Sequence, residues 1–126
     1  MKRKVNNMDR QLITKLKSAF DSIAHKTESG IEFWFARELQ PLLGYTKWQN
    51  FESVINKAMK SCETSGNEVF NHFTDVSKIV KAGIAPKDIG DLALTRYACY
   101  LIAQNGDSRK KEIAFAQQLA FSMRKG

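Results

Sequence analysis

The sequence has few of the residues that build disulfide scaffolds, metal centres or membrane spans. Two cysteines and two histidines occur in 126 residues. Cys62 and Cys99 each lie in an apolar, helix-like stretch, so we expect buried, reduced thiols rather than a disulfide. No apolar run approaches the roughly 20 residues of a membrane-spanning helix, and no apolar segment follows the basic N-terminus as it would in a secretory signal. These absences predict a cytoplasmic protein without a membrane partner.

Patterns typical of catalytic and cofactor-binding sites are also missing. His25 and His72 stand in separate segments, and neither has a cysteine or carboxylate at metal-ligand spacing. The sequence holds no CxxC, HExxH, GxSxG, GxGxxG or phosphate-loop pattern. Asp88 and Asp91 come nearest to a local carboxylate pair, but aspartates beside a turn usually accept hydrogen bonds from the backbone. We therefore expect no enzymatic activity, no metal and no cofactor.

Positive charge is what the sequence has in excess. Its 20 Lys and Arg against 13 Asp and Glu give a formal net charge of +7, which favours an acidic partner, nucleic acid first. The excess is uneven, because residues 1–30 carry +4, residues 31–106 are balanced and residues 107–126 carry +3. We therefore expect non-specific attraction to DNA to come mainly from the two end segments.

Hydrophobic spacing predicts an α+β domain that is mainly helical, with about five helices. The first helix has an apolar stripe that starts at Met8 and includes Phe20, and it should end near Lys26. The other predicted helices are a short one over Ala36–Leu43 that Gly44 ends, one that Thr46 caps and that runs to about Thr64, one from Thr95 to Asn105, and a last one capped by Asp107 or Ser108. The last helix should bury Ile113, Ala116, Ala120 and Met123.

Two segments favour β-structure and complete a small sheet or hairpin. Ile31 to Phe35 starts as a brief β-branched and aromatic strand. The alternation from Val76 to Lys81 predicts one strand of a hairpin, with a turn over Ala82–Pro86 and a return strand over Ile89–Leu94. A helix over Thr74–Ala82 is the alternative for this segment.

Residues 36–55 have the outline of a helix-turn-helix motif. A short helix, the turn Gly44-Tyr45 and an amphipathic helix follow one another, and in that motif the first turns of the second helix contact base edges in the major groove. The polar side chains at these positions can bond to adenine, guanine or phosphate; they are Lys47, Gln49, Asn50, Ser53 and Lys57. An ordinary solvated helix face explains the same residues equally well.

Four further bases are candidates for phosphate contacts. Arg37 lies in the short first helix of the helix-turn-helix outline, and Arg109, Lys110 and Lys111 begin the last helix. Cations at a helix N-terminus oppose the helix dipole, at a cost of about 0.3–1 kcal/mol when exposed. A basic cluster placed there indicates an acidic partner, with a plain solvated turn as the alternative.

The stretch from Leu94 to Asp107, LTRYACYLIAQNGD, resembles the signature of the bacterial DNA-damage-inducible protein D family. The N-terminal part of that family belongs to the Bro-N group of phage, viral and bacterial regulators. Further similar blocks, which extend the resemblance over about residues 32–121, are Phe35–Tyr45, Phe51–Gly66, His72-Phe73 and Lys111–Gln117. The resemblance implies a Bro-N-like fold without catalytic activity, and DNA binding or regulation tied to the DNA-damage (SOS) response. Members of the family are linked to control of the recombinase filament on single-stranded DNA.

The residues of this family motif are expected to be mainly architectural. They are Arg96, Tyr97, Tyr100, Asn105, Gly106 and Asp107. Arg96 should bond a carboxylate such as Asp91. We divide the chain into an amphipathic helical extension over residues 1–30 and a Bro-N-like domain over residues 31–126. Because family members continue past the last helix, we also expect a longer natural protein.

Two functions fit these observations. The leading hypothesis is a non-enzymatic DNA-binding regulatory domain of the DNA-damage response, acting on single- or double-stranded DNA and on a recombinase filament. The alternative is a protein-interaction or dimerisation module, similar to an antirepressor, without direct DNA contact. A homodimer is therefore a second candidate assembly.

Overall fold

The computed structural model describes residues 7–83 and 85–125, with the side chains of residues 7, 82 and 120–125 excepted. Within these residues the fold is α+β and mainly helical, as predicted. The helices are α1 Asn7–Ser22, α2 Ala36–Leu42, α3 Trp48–Thr64, α4 Val69–His72, α5 Arg96–Asn105 and α6 Lys111–Lys125. The strands are β1 His25–Lys26, β2 Glu32–Phe35, β3 Phe73–Val76, β4 Ile79–Ala82, β5 Ala85–Asp88 and β6 Asp91–Leu94.

Two antiparallel sheets organise the strands. Four strands form the main sheet in the order β1-β2-β6-β3, and β4 pairs only with β5. Trp34 of β2 lies opposite Leu94 of β6, and both side chains are fully buried. The sheet therefore joins a segment near the N-terminus to one in the second half of the chain, a pairing that local patterns could not predict.

Helix α5 lies at the centre of the helical layer. It packs against α3 on one side and α6 on the other, and it also contacts β2. Its buried side chains include Cys99, Leu101 and Ile102, as expected for a helix that is apolar nearly all round. Thr95 caps it as predicted, since the threonine hydroxyl accepts a hydrogen bond from the Ala98 amide at 3.1 Å.

Helix α1 packs within the same hydrophobic core, against α2 and α6. The Phe20 ring stacks on Trp34 with centroids 4.4 Å apart, and the Trp34 indole donates to the Phe20 carbonyl. Two details of the prediction were wrong. Met8 is 67% exposed and lies off the buried stripe, and α1 ends at Ser22 because His25-Lys26 pairs with β2.

The segment from α2 to α3 follows the predicted outline of two helices and a turn. Gly44 ends α2 with a φ of +80°, a left-handed conformation that glycine adopts without strain. Pro41 is accommodated inside the seven-residue α2. The predicted cap was wrong by one residue: Lys47, not Thr46, is the N-cap of α3, and its side chain makes no capping bond.

The predicted hairpin is present and is longer than expected. We call β4, β5 and their connection, residues 79–88, the arm. The return strand starts at Ala85 rather than Ile89, and Pro86 lies inside β5 rather than in the turn. Pro86 is tolerated because it sits opposite Lys81 at the edge of a two-stranded ribbon. Ile84, part of the predicted turn, lies outside the described residues.

Residues of the family motif make several contacts within the fold. The Asn105 side chain donates to the Leu101 carbonyl at 2.8 Å and to the Ser61 hydroxyl at 3.2 Å. Tyr97 packs its ring edge-on to His72 and lies beside Tyr100, with ring centroids 4.9 and 6.3 Å apart. The expected partner of Arg96 was wrong: its guanidinium bonds Glu32 at 2.9 Å, because the register of β2 and β6 brings Glu32 beside Arg96. The Asp91 carboxylate accepts the Arg37 and Leu92 amides instead.

The start of α6 packs closely on the end of α5. Ile113 and Ala116 are buried as predicted, and Phe115 and Leu119 are buried beside them. The predicted core side chains of Ala120 and Met123 lie outside the described residues. The Asp107 carboxylate accepts the Arg109 amide at 3.0 Å, within the turn before the helix. The predicted start was wrong, because α6 begins at Lys111, so neither Asp107 nor Ser108 is its N-cap and Arg109 and Lys110 precede it.

Candidate nucleic-acid interface

Helix α3 presents a broad polar face to solvent. Its apolar side, which includes Phe51, Ile55 and Cys62, is fully buried. The candidate base-contacting residues all lie on the opposite, exposed side; they are Lys47, Gln49, Asn50, Ser53 and Lys57. Exposed and buried side chains recur along α3 with the 3.6-residue period of a helix. The pattern of apolar residues in the sequence was therefore sufficient to predict which side of α3 these residues lie on.

The turn that precedes α6 contacts α3 and the turn before it. The Tyr45 hydroxyl accepts a hydrogen bond from the Asp107 amide at 3.0 Å. Further along α3, Ser61 bonds Asn105, and Lys57 lies one helical turn before Ser61 on the same side of the helix. Lys110 also bonds Gly44, so the bases that precede α6 lie beside the turn before α3. We call the polar face of α3 and the bases Arg109–Lys111 together the α3–α6 surface.

The three bases at the start of α6 differ in how freely they can meet a ligand. Arg109 forms two side-chain bonds of 3.0 Å to Asp107, which lower the pKa of the Asp107 carboxyl and raise the pKa of Arg109. Lys110 donates to the Gly44 carbonyl at 3.1 Å and lies 4.8 Å from the centre of the Tyr45 ring. Lys111 is exposed. Charge on this segment is thus partly satisfied within the protein.

Arg37 lies away from the α3–α6 surface and braces the foot of the arm. Its Nε donates to the Gly90 carbonyl at 2.6 Å and its Nη2 to the Ile89 carbonyl at 2.7 Å. The guanidinium also stacks over Trp48, the first residue of α3, at 4.1 Å from the ring. Two of its donors therefore hold the arm in a fixed position relative to α3.

The arm adds bases that the sequence pattern did not single out as a group. Lys78 at its foot and Lys81 and Lys87 along it are exposed. Asp88, the one acidic residue of the arm, accepts hydrogen bonds from the Lys78 and Gly90 amides, and these lower the pKa of its carboxyl. The strand alternation over Val76–Lys81 was the signal that could have found Lys78 and Lys81, which are both exposed.

A cleft of about 240 Å³ separates α3 from the foot of the arm. Trp48, Ile55 and Met59 of α3 face Ile89 and Leu92 across it. The acidic side chains at this cleft are Glu52, Asp75 and Asp91, and no base occurs among the described residues that line it. The exposed bases therefore lie outside this cleft, and the charged side chains that line it are acidic.

The remaining reactive groups are buried or isolated. Burial raises the pKa of the Cys62 and Cys99 thiols, which keeps them protonated and unreactive. Over residues 7–83 and 85–125, no three His, Cys, Asp or Glu side chains are grouped so that they could hold a metal ion. In the same part of the chain, no helix combines the length and apolar character needed to cross a membrane.

The family model for the BRO family N-terminal domain, Bro-N, matches residues 22–119. The chain belongs to the Bro-N family. The matched range includes α2, α3, the arm and α5, so both basic regions lie within the Bro-N domain. It begins at the last residue of α1, although α1 packs on the same core. The division into an extension and a domain stays a prediction.

A curated relative of this Bro-N chain is the DNA damage-inducible protein D of Escherichia coli strain K12. The two are 41% identical over 99 residues, which is 78% of this chain and 36% of the relative. The chain thus spans about a third of the length of the relative that it matches. No solved structure matches the chain.

Proposed function

We propose that this Bro-N domain is a non-catalytic DNA-binding module that regulates the response to DNA damage. The observation that carries the proposal is the α3–α6 surface, in which the polar face of α3 is exposed and Lys110, next to the start of α6, bonds Gly44 in the turn before α3. The arm and its foot add three exposed lysines. The name of the E. coli relative, DNA damage-inducible protein D, supports the link to damage.

The side chains on this surface divide into two roles. Gln49 and Asn50 lie in the first turns of α3 and carry amide groups that bond two edge atoms of adenine at once. Lys47, Lys57 and Lys111 are exposed and meet phosphates, which adds affinity without sequence preference. Arg109 contributes less, because Asp107 already offsets its charge.

The double variant Gln49→Ala/Asn50→Ala tests the base-contacting role. We expect DNA affinity to fall by about tenfold or more, since each lost pair of base contacts is worth about 1–3 kcal/mol, while the unfolding transition is unchanged. Fluorescence anisotropy with labelled duplex and single-stranded DNA measures the affinity. Thr64→Ala, an exposed residue at the far end of α3, is the matched control and should bind like the wild type.

The salt dependence of binding tests the phosphate contacts separately. Replacing both Lys57 and Lys111 with Gln should reduce the slope of log affinity against log salt by about 1–2, because each neutralised phosphate contributes about 0.9. Replacing both lysines with Arg, which keeps their charge, should leave the slope nearly unchanged. Binding that does not depend on salt, or no binding at low salt, would show that the domain does not act on DNA.

The regulatory step is a further part of the proposal. By its family resemblance, the domain acts where a recombinase filament forms on single-stranded DNA in the SOS response, so the single-stranded probe is the informative one. The alternative function is a dimerisation module without DNA contact. The unpaired outer edge of β4 favours this alternative. It would be supported if neither probe bound and the chain self-associated.

A further inference from the structure

We propose that two copies of this chain pair through the outer edges of their β4 strands and form a four-stranded ribbon, β5-β4-β4-β5. The arm continues the β3–β6 pair in the same register, and the Ile89 amide bonds the Lys78 carbonyl between the two pairs. Along the arm itself only two strands pair, and a ribbon of two strands gains little stability on its own, while its unpaired edges attract further strands. The outer edge of β4 therefore has the backbone groups to bind a partner strand.

The hydrogen-bond pattern of the arm shows which backbone groups are unpaired. The Ile89 amide donates to the Lys78 carbonyl at 2.8 Å. Along an antiparallel pair of strands, hydrogen-bonded and non-bonded residue pairs alternate. Because Lys78 and Ile89 are bonded, Val80 and Lys87 two residues further on are also a bonded pair, whereas Ile79 and Lys81 are not bonded to β5. The N–H and C=O groups of Ile79 and Lys81 therefore point to the outer edge of β4.

The two edges of the arm are not equivalent. Pro86 lies opposite Lys81, at a position of β5 whose backbone groups also point outward. Proline has no N–H to donate, so it weakens the outer edge of β5 as a template for another strand. The outer edge of β4 keeps all its donors and acceptors, and Ile79 on it is 59% exposed.

A second copy is the partner that fits this edge. Two identical β4 strands related by a two-fold axis are antiparallel by symmetry. Pairing Ile79 of one copy with Lys81 of the other uses every outward backbone group of both residues, giving four hydrogen bonds. It also keeps the two Lys81 side chains apart, because like charges placed directly opposite each other destabilise a pair of strands.

Charge complementarity supports the same register. Asp88 pairs with Ile79 within each arm, so it lies on the same face. In the four-stranded ribbon, Lys81 of the second copy then lies two strand spacings, about 10 Å, from Asp88, within reach of a lysine side chain. The interface is small, so we expect a weak, concentration-dependent dimer.

A symmetric cysteine tests the interface directly. The proposed register places Val80 of one copy opposite Val80 of the other in a non-bonded pair, with Cα atoms about 4.5 Å apart, a distance that a disulfide spans. Val80→Cys should therefore form a cross-linked dimer under mild oxidation with oxidised glutathione. Lys87→Cys is the matched control: it neighbours Val80 on the same face, but its copies lie about 14 Å apart across the ribbon.

Sedimentation velocity of the full chain gives an independent readout. We expect the mass to rise from 14.3 kDa towards twice that value between about 1 and 500 µM, the range of a weak interface. Ile79→Pro removes an outward N–H, so the mass should rise only at protein concentrations at least tenfold higher. Ile79→Thr keeps this N–H and should leave the concentration dependence unchanged. A chain that stays monomeric throughout, or equal cross-linking of the two cysteine variants, would overturn the proposal. Cys62 and Cys99, 0% and 2% exposed, do not interfere.

Discussion

At the scale of single residues, the structure separates bases that are available to a ligand from bases that the protein uses itself. Arg37, Lys110 and Lys111 are similar in the sequence and differ in the fold. Arg37 bonds two backbone carbonyls of residues more than fifty positions away, and Lys110 bonds Gly44. Lys111 is exposed. The spacing of residues along a helix identifies where the charged side chains are. It does not identify the distant carbonyl groups that accept their hydrogen bonds.

Gly106 illustrates a residue whose role is purely steric. Its φ is ordinary, but an added Cβ would lie 2.5 Å from Cδ1 of Ile113, and Ile113 is fully buried. Gly106→Ala should therefore lower the free energy of unfolding by about 1–3 kcal/mol through overpacking. Urea titration measures the loss, and Gln104→Ala, an exposed neighbour, should change stability by less than about 0.5 kcal/mol. Equal effects of the two substitutions would contradict this explanation.

At the scale of elements, the arm is held at its foot rather than along its length. Two groups fix it there. The guanidinium of Arg37 bonds the Ile89 and Gly90 carbonyls, and the carboxylate of Asp88 accepts the Lys78 and Gly90 amides. These contacts set where the arm projects relative to α3. The direction of the arm therefore depends on these four side-chain bonds, together with the backbone bond from the Ile89 amide to the Lys78 carbonyl.

The foot of the arm should respond to acid. The backbone amides of Lys78 and Gly90 lower the folded-state pKa of Asp88, so its carboxylate stabilises the folded arm above the usual Asp pKa of about 3.9. That contribution is lost as the pH falls through the lowered folded-state pKa. In NMR spectra, the amide shifts of Lys78 and Gly90 should titrate together, with a midpoint below about 3.9.

Two comparisons control this titration. Asp88→Asn should abolish the shared midpoint, because the amide does not ionise in this range. The Leu43 amide, which bonds the Leu39 carbonyl within α2, should show no shift over the same pH range. A midpoint at or above the ordinary Asp pKa would mean that the two amides do not stabilise the carboxylate.

At the scale of the whole molecule, the N-terminal helix shares the core of the matched domain. The Phe20 ring is 2% exposed and stacks on the fully buried Trp34. Removing residues 1–28 would therefore strip part of the core along with the charge of that segment. The contribution of N-terminal charge to DNA affinity is better measured by replacing exposed bases such as Lys15 and Lys17, which leave the core intact.

Truncating Phe20 tests this integration. Phe20→Ala should cost about 3–5 kcal/mol of unfolding free energy, as expected for a fully buried aromatic side chain. Met8→Ala, on the same helix but 67% exposed, should change stability by less than about 0.5 kcal/mol. Urea unfolding followed by circular dichroism measures both. A small effect of Phe20→Ala would indicate that α1 is a detachable extension.

The sequence alone was enough to place the longer helices and the buried stripe of α3. Trp48, Phe51 and Ile55 repeat at helical spacing, and the periodicity of a long amphipathic helix is a strong local signal. The LTRYACYLIAQNGD stretch likewise identified the family before any fold was known. The limits of the prediction lie in shorter segments. Strand β1 has two residues and α4 has four, and such lengths carry no period.

Only the tertiary structure decided what the polar residues do. Trp34 meets Leu94, Lys110 meets Gly44 and Arg96 meets Glu32, each across some sixty residues of chain. Local propensity and spacing describe which face of an element is apolar, but hydrogen-bond and ion-pair partners are chosen by long-range packing. The sequence therefore determined the elements and their buried faces. The fold determined that the start of α6 lies beside the turn before α3, and that the arm projects with an unpaired edge.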